Sequence, residues 1–248
     1  MIVSVLVVAL PAQAVAPAQA ATSANLVPSF APDRLGAKGS VTFSIHYSGE
    51  YSGFSGPSLN DPLVPEPVSR LVVHFPAGMG PDIPSLHTCT PASLLAHGAR
   101  GCPAATQLGS GYALTEVHPS TLTVTEDISL QAFVGPLHEG HSTLVILGRG
   151  YSPLEERVVF TGELLFGHAP YGEELAMSIP PIPTLPMEPD ASTIDFTLTI
   201  GSHARHPSGH ANAVIVPSRC PVGGFPFAAE FTYADGSTGS AVAAAPCP

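Results

Sequence analysis

Val41-Thr42-Phe43-Ser44-Ile45-His46-Tyr47 alternates apolar and polar residues at every step. Successive side chains of an extended chain point to opposite faces, so Val41, Phe43, Ile45 and Tyr47 share one face. This is the pattern of a half-buried strand. It recurs in Leu71, Val73 and Phe75, in Ile128, Leu130, Ala132 and Val134, and in Val158, Phe160, Gly162 and Leu164. Ile194, Phe196, Leu198 and Ile200 repeat it, as do Phe227, Ala229, Phe231 and Tyr233. Thr143–Leu147 is apolar more continuously. Weaker strand signals lie at Gly111–Val117, Thr121–Thr125, Ala211–Val216 and Gly239–Ala243. Ala234-Asp235-Gly236-Ser237 carries the Asp-Gly pair of a tight hairpin. About eleven short strands separated by turns predict an all-β fold: an antiparallel β-sandwich, jelly-roll or immunoglobulin-like, or a jelly-roll-like barrel. Little helix is expected. A short one fits Thr90–His97, with Thr90 as N-cap and Pro91 in the first turn.

Composition agrees. The 248 residues hold 24 Gly and 28 Pro, which interrupt any long helix. Charged residues are 11%, against about 25% in ordinary soluble domains. Eight basic residues against 19 acidic ones give a net charge of −11. Nucleic acid binding needs basic patches, and an anionic membrane surface attracts the same patches. Neither partner fits this chain. With hydrophobic residues at 44%, charge-driven disorder does not fit either.

The N-terminus reads as an export signal. Ile2–Leu10 is apolar, and Ala18-Gln19-Ala20 has the small-x-small pattern of a signal-peptidase site. The apolar run is shorter than the roughly 20 residues a membrane span requires. No Lys or Arg precedes it, which departs from the usual signal. The expected organisation is a signal peptide over residues 1–20 and one β-domain over 21–248. Cys89, Cys102, Cys220 and Cys247 are an even set, as disulfides in an oxidising compartment require. Pairing 89 with 102 and 220 with 247 closes the shortest loops. No C-x-x-C spacing supports a zinc knuckle.

Chemistry-bearing residues are few. Eleven His include two clusters, His138 with His141, and His203 with His206 and His210. Imidazoles in turns can ligate zinc, copper or nickel. A His-x-x-His in a loop fixes no geometry, so these five are metal-ligand candidates only, and no cofactor is expected. Glu155-Glu156 and Glu173-Glu174 are paired carboxylates. Neighbours in extended chain point apart, so neither pair makes a hydrolytic dyad by itself. Their Gly, Tyr and Pro surroundings read as solvated loops. Gly140-His141-Ser142-Thr143-Leu144 lacks the second Gly of a nucleophile elbow. Lys38, the single lysine, sits in Gly-rich chain that reads as a surface turn. The segment Tyr47–Gly56 has the Tyr, Ser and Gly composition of a binding loop, with Tyr47, Tyr51 and Phe54 as candidate ligand contacts. The partner class is a cell-surface glycan or protein, although the absence of Trp counts against a sugar-stacking platform. Ile179–Pro186 is proline-rich and must be extended. It reads as an edge or crossover connection rather than an SH3-type ligand.

Several segments of the chain resemble those of a group of uncharacterised exported proteins of GC-rich actinobacterial genomes. They are His74-Phe75-Pro76-Ala77-Gly78, Gly101–Gly111, Ile179–Pro186 with Pro189-Asp190, and Cys220-Pro221 through Gly236 to Pro246-Cys247-Pro248. The resemblance spans Leu71 to the C-terminus. It implies export and a β-sandwich, and it brings no activity and no site residues. The expected role is therefore a secreted or cell-envelope protein, non-enzymatic, acting by binding or as a surface component. The alternatives are an exported hydrolase whose carboxylate pair forms only in the fold, and a metal-binding module built on the His loops.

Overall fold

The structure, a computed structural model, describes residues 23–48, 65–81, 87–117, 124–152, 155–184, 190–201 and 214–247. The expected signal peptide lies outside them, as do Tyr51, Phe54, His203, His206 and His210. The strands are β1 (Ser23–Ala31), β2 (Lys38–Ser48), β3 (Val68–Pro76), β4 (Gly80–Pro81), β5 (Gln107–Val117), β6 (Val124–Val134) and β7 (Thr143–Arg149). They continue with β8 (Arg157–Phe166), β9 (Tyr171–Ser178), β10 (Ser192–Ile200), β11 (Val214–Ile215), β12 (Phe225–Tyr233) and β13 (Thr238–Ala245). A helix, α1, covers Pro91–His97.

Each strand pairing is antiparallel. The eleven long strands run in the order β13-β12-β3-β9-β8-β7-β6-β5-β10-β2-β1, and β1 returns to lie beside β13. The sheet therefore nearly closes on itself. The result is barrel-like and corrects the expected two-sheet sandwich. Alternation shows only that each strand buries one face, and a sandwich and a barrel both satisfy that. What separates them is where the first and last strands meet. That is a long-range pairing which no local pattern encodes.

The interior follows the alternation. Val41, Phe43, Ile45 and Tyr47 of β2 are all at most 1% exposed. They meet Leu71, Val73 and Phe75 of β3, Leu198 of β10, and Phe225, Phe227 and Phe231 of β12 in one continuous core. Phe43 lies edge-on to Phe75, which in turn meets Phe227 edge-on, with ring centres 6.0 Å apart in each case. Across the seam between β1 and β13, Phe30 closes on Phe225 at 5.4 Å and Phe227 at 5.7 Å. Aromatic rings thus fill the lumen.

Thr143–Leu147 is continuously apolar because both faces of β7 are covered. Leu144 and Ile146 point into the barrel core. Val145 and Leu147 point outward, into a second cluster with Phe133, Leu94 and Cys89. Helix α1 and the Cys89–Cys102 disulfide roof this cluster, with Cα atoms 5.3 Å apart. The Thr90 hydroxyl accepts from Ser93 N at 3.2 Å, the N-cap read from the sequence. Cys220 and Cys247 form the second disulfide. Both pairings are the local ones expected. The β12–β13 hairpin turns at Asp235-Gly236, where the Asp235 carboxylate accepts from Ser237 N at 2.8 Å. Ile179–Thr184 is extended and links β9 towards β10, with Ala191 N donating to Ile182 O. No described helix is long and apolar enough to cross a membrane.

Candidate functional site

The barrel has two ends. Val41 of β2 lies opposite Ile200 of β10 at one, and Tyr47 marks the other. The sequence-singled residues distribute over both.

At the Val41 end, β6 and β7 are joined by a turn that places His138 opposite His141. His138 N donates to His141 O at 3.0 Å, and His141 N to His138 O at 2.8 Å. Glu139 and Gly140, the two central residues, take φ of 51° and 87°. That is the backbone of a two-residue hairpin turn matched to strand twist. The His138 Nδ1 is 2.6 Å from the Glu163 carboxylate. His138 is thus committed to one carboxylate on the outside of β8. Among the described residues, no group of three or more His, Cys, Asp or Glu is arranged to hold a metal.

Glu173 and Glu174 are not loop charges. They lie in β9, which the reading of the sequence missed although Glu173, Leu175 and Met177 alternate with polar or small residues. As extended geometry requires, they point apart. Glu174 faces outward and meets His74 Nδ1 at 3.2 Å, while Glu230 reaches His74 Nε2 at 3.5 Å from the other side. Tyr171 packs on the same imidazole at 5.2 Å. Glu173 faces inward, into a cavity of about 10 Å³ walled by Val41, Phe75, Met79, Leu144 and Ile200. Its Oε2 is buried without a hydrogen-bond partner. Burial in this apolar wall pushes its carboxyl up to about 7. The cavity is too small for an organic ligand.

At the Tyr47 end, the structure corrects the binding-loop reading of Tyr47. Its ring is 1% exposed and packs edge-on against Phe231 at 5.0 Å. It belongs to the core and offers no face to a ligand at the surface. Burial, with the nearby Tyr233, holds its hydroxyl well above the ordinary phenol range. Tyr233 is pushed up to about 12, by burial and then by Asp235, and its buried hydroxyl has no partner.

The second carboxylate pair also splits. Glu155 is exposed and accepts from Arg149 at 2.8 Å, and that guanidinium lies 4.6 Å over the Tyr151 ring. Glu156 is half-buried beside Glu126, whose side chain shares the inner face of β6 with Ile128 and Leu130. Glu126 is held above the usual carboxylate range by burial and then by the charge of Glu156, with a Ser152 backbone hydrogen bond opposing. Burial raises Glu156 as well. A Cβ at position 150 would strike the Glu126 carboxyl, so Gly150 is what makes room for it. Sequence spacing could not reveal this pair, because Glu126 lies on β6 and Glu156 in the segment leading into β8.

The outer face of β3, β12 and β13 carries a groove of about 510 Å³ lined by Arg70, Val72, Glu230, Thr232, Thr238 and Ser240. Its residues were not singled out in the sequence. Their signal is the polar half of the same alternation that marked the core. No family model matches the chain, and no match was found among curated proteins or solved structures.

Proposed function

We propose that the protein is an exported, non-enzymatic β-module of the cell envelope or the extracellular space, and that it acts by binding through its outer surface. One observation carries this reading: among the described residues, side chains pack the lumen into one continuous core, while a broad polar groove lies outside, across β3, β12 and β13. A barrel that carried a small molecule would keep an open calyx. Two disulfides fit an oxidising compartment. The sequence resemblance to exported actinobacterial proteins supports the same compartment. Retention of the full chain on cell-envelope fractions tests the reading. The expected result is retention that survives substitution of the inner carboxylates Glu126 and Glu156 and is lost on substitution of groove residues. Absence of retention on every fraction would overturn it.

A second reading has its own support. Glu126 on β6 and Glu156 just before β8 are two carboxyl groups both raised by burial, and such environments suit acid–base chemistry. An exported hydrolase built on them would lose all turnover in both E126Q and E156Q. Turnover that survives either change would remove this reading.

A further inference from the structure

We propose that the groove on β3, β12 and β13 is a saccharide site, and that its ligand is a largely neutral oligosaccharide carrying isolated uronic-acid units read by Arg70. The inference rests on the binding reading above and adds the ligand class to it.

Strand register builds the site. Thr232 of β12 lies opposite Arg70 on one side and Thr238 on the other. Glu230 lies opposite Val72 and Ser240 in the same way. Two rows of side chains therefore cross three strands, with neighbours in a row about 5 Å apart. One row ends in a guanidinium and the other centres on a carboxylate. Between them stand three hydroxyls. Each hydroxyl both donates and accepts, the guanidinium only donates, and the ionised carboxylate only accepts. That mixture matches the hydroxyls of a sugar, which also do both.

The same lining disfavours a peptide. β3 and β12, which carry Arg70, Glu230 and Thr232, are each paired on both sides, so these two strands offer no free backbone edge for strand addition. Val72 is only 5% exposed, so the lining offers no apolar pocket for a peptide side chain, and a sugar here would be held by hydrogen bonds and not by ring stacking.

Arg70 supplies the selectivity. It is exposed and, among the described residues, makes no ion pair, whereas Arg149 is engaged by Glu155 and Arg157 donates to Leu95 O. Glu230 is 66% exposed and reaches His74 at 3.5 Å rather than Arg70. A planar guanidinium takes a carboxylate through two parallel hydrogen bonds. The net charge of −11 works against a dense polyanion at long range. Only isolated carboxylates on an otherwise neutral chain satisfy both conditions.

Calorimetric titration of the full chain with three tetrasaccharides tests this: one neutral, one with a single uronic acid, one uronic throughout. The mono-uronic probe should bind at least tenfold more tightly than the neutral one, and more tightly than the fully uronic one at low salt. R70Q should bring it to the neutral level. T232V and S240A should weaken the neutral and mono-uronic probes alike by several-fold, and R149Q should change nothing. Thermal melting of each variant checks that the fold is kept, since all these positions are on the outside. Unchanged mono-uronic affinity in R70Q and T232V overturns the groove while leaving a binding module elsewhere on the surface. Equal affinity for neutral and mono-uronic probes overturns the role of Arg70. Arg70-dependent binding of a Gly-Ser peptide bearing one Glu, with no sugar bound, overturns the ligand class. No sugar binding, together with no retention on envelope fractions, overturns both this inference and the reading beneath it.

Discussion

Replacing Glu173 by Gln should make the barrel more stable at neutral pH and leave it unchanged in acid. The carboxyl faces Val41, Phe75, Met79, Leu144 and Ile200 and no charged group, and its Oε2 has no hydrogen-bond partner. Burial lifts it from 4.5 to about 7. Between those two values the folded chain keeps a proton that the unfolded chain has lost. Stability therefore falls as pH rises through that window, and is flat below and above it. Taken whole, the displacement is worth ~3 kcal/mol. The group is only half-buried, and solvent screening cuts the effect to about 1–2 kcal/mol. For a chain of this size that is about 3–6 °C in melting temperature. Glutamine keeps the shape and stays neutral, so it removes the pH-dependent part alone. Melting E173Q and the parent side by side by circular dichroism measures the difference at each pH. The two should coincide near pH 4.5 and separate by the stated amount near pH 7.5, with the variant higher. A difference that does not change with pH, or a variant that is less stable at pH 7.5, would refute the reasoning.

Three further outcomes follow from the packing. The double change C89S/C102S should cost about 3 kcal/mol by the loop-entropy estimate; because it frees the roof over Phe133, Val145 and Leu147, it should also raise binding of an apolar dye, and urea melts with dye fluorescence read both. F30A should cost about 2–3 kcal/mol, since it empties the contact with Phe225 and Phe227 across the β1–β13 seam. Amide exchange in that variant should accelerate first in β1 and β13, and uniform acceleration through all strands would argue against a seam. H138A should change stability by under about 0.5 kcal/mol, because the ion pair it removes is exposed.

Much of the barrel wall was legible because burial and period coincide. Val41 to Tyr47 alternates without interruption, Phe227 to Tyr233 alternates but for Ala228, and every apolar member of both runs is buried. The Asp235-Gly236 turn and the Thr90-Pro91 cap were legible because each depends on residues next to one another. β1 escaped notice, since Leu26, Pro28 and Phe30 include a proline that counts against a strand interior. It is tolerated here because the far side of β1 faces β13 across the seam without pairing to it. β9 was hidden by its charge: Glu173 occupies a core-facing position that an apolar residue would have advertised. The candidate site was the least legible part. Arg70, Glu230, Thr232 and Ser240 come together only because β3 returns to pair with β12, strands more than 150 residues apart in sequence. Glu126 and Glu156 are closer in sequence, but they stand on β6 and just before β8, on either side of β7, and no local period links them. Tyr47 fits two readings in the sequence, last member of a strand face and first residue of a binding loop, and its burial decides for the strand.

The proposed binding site lies on the outer face of the barrel and not in its lumen. Backbone chemical-shift mapping of the full chain, titrated with a mono-uronic tetrasaccharide, tests it most directly. Shifts confined to residues 70–72, 230–232 and 238–240, saturating together, are the expected result. Shifts centred on Glu126 and Glu156, or on Glu173, with the groove silent, would contradict it.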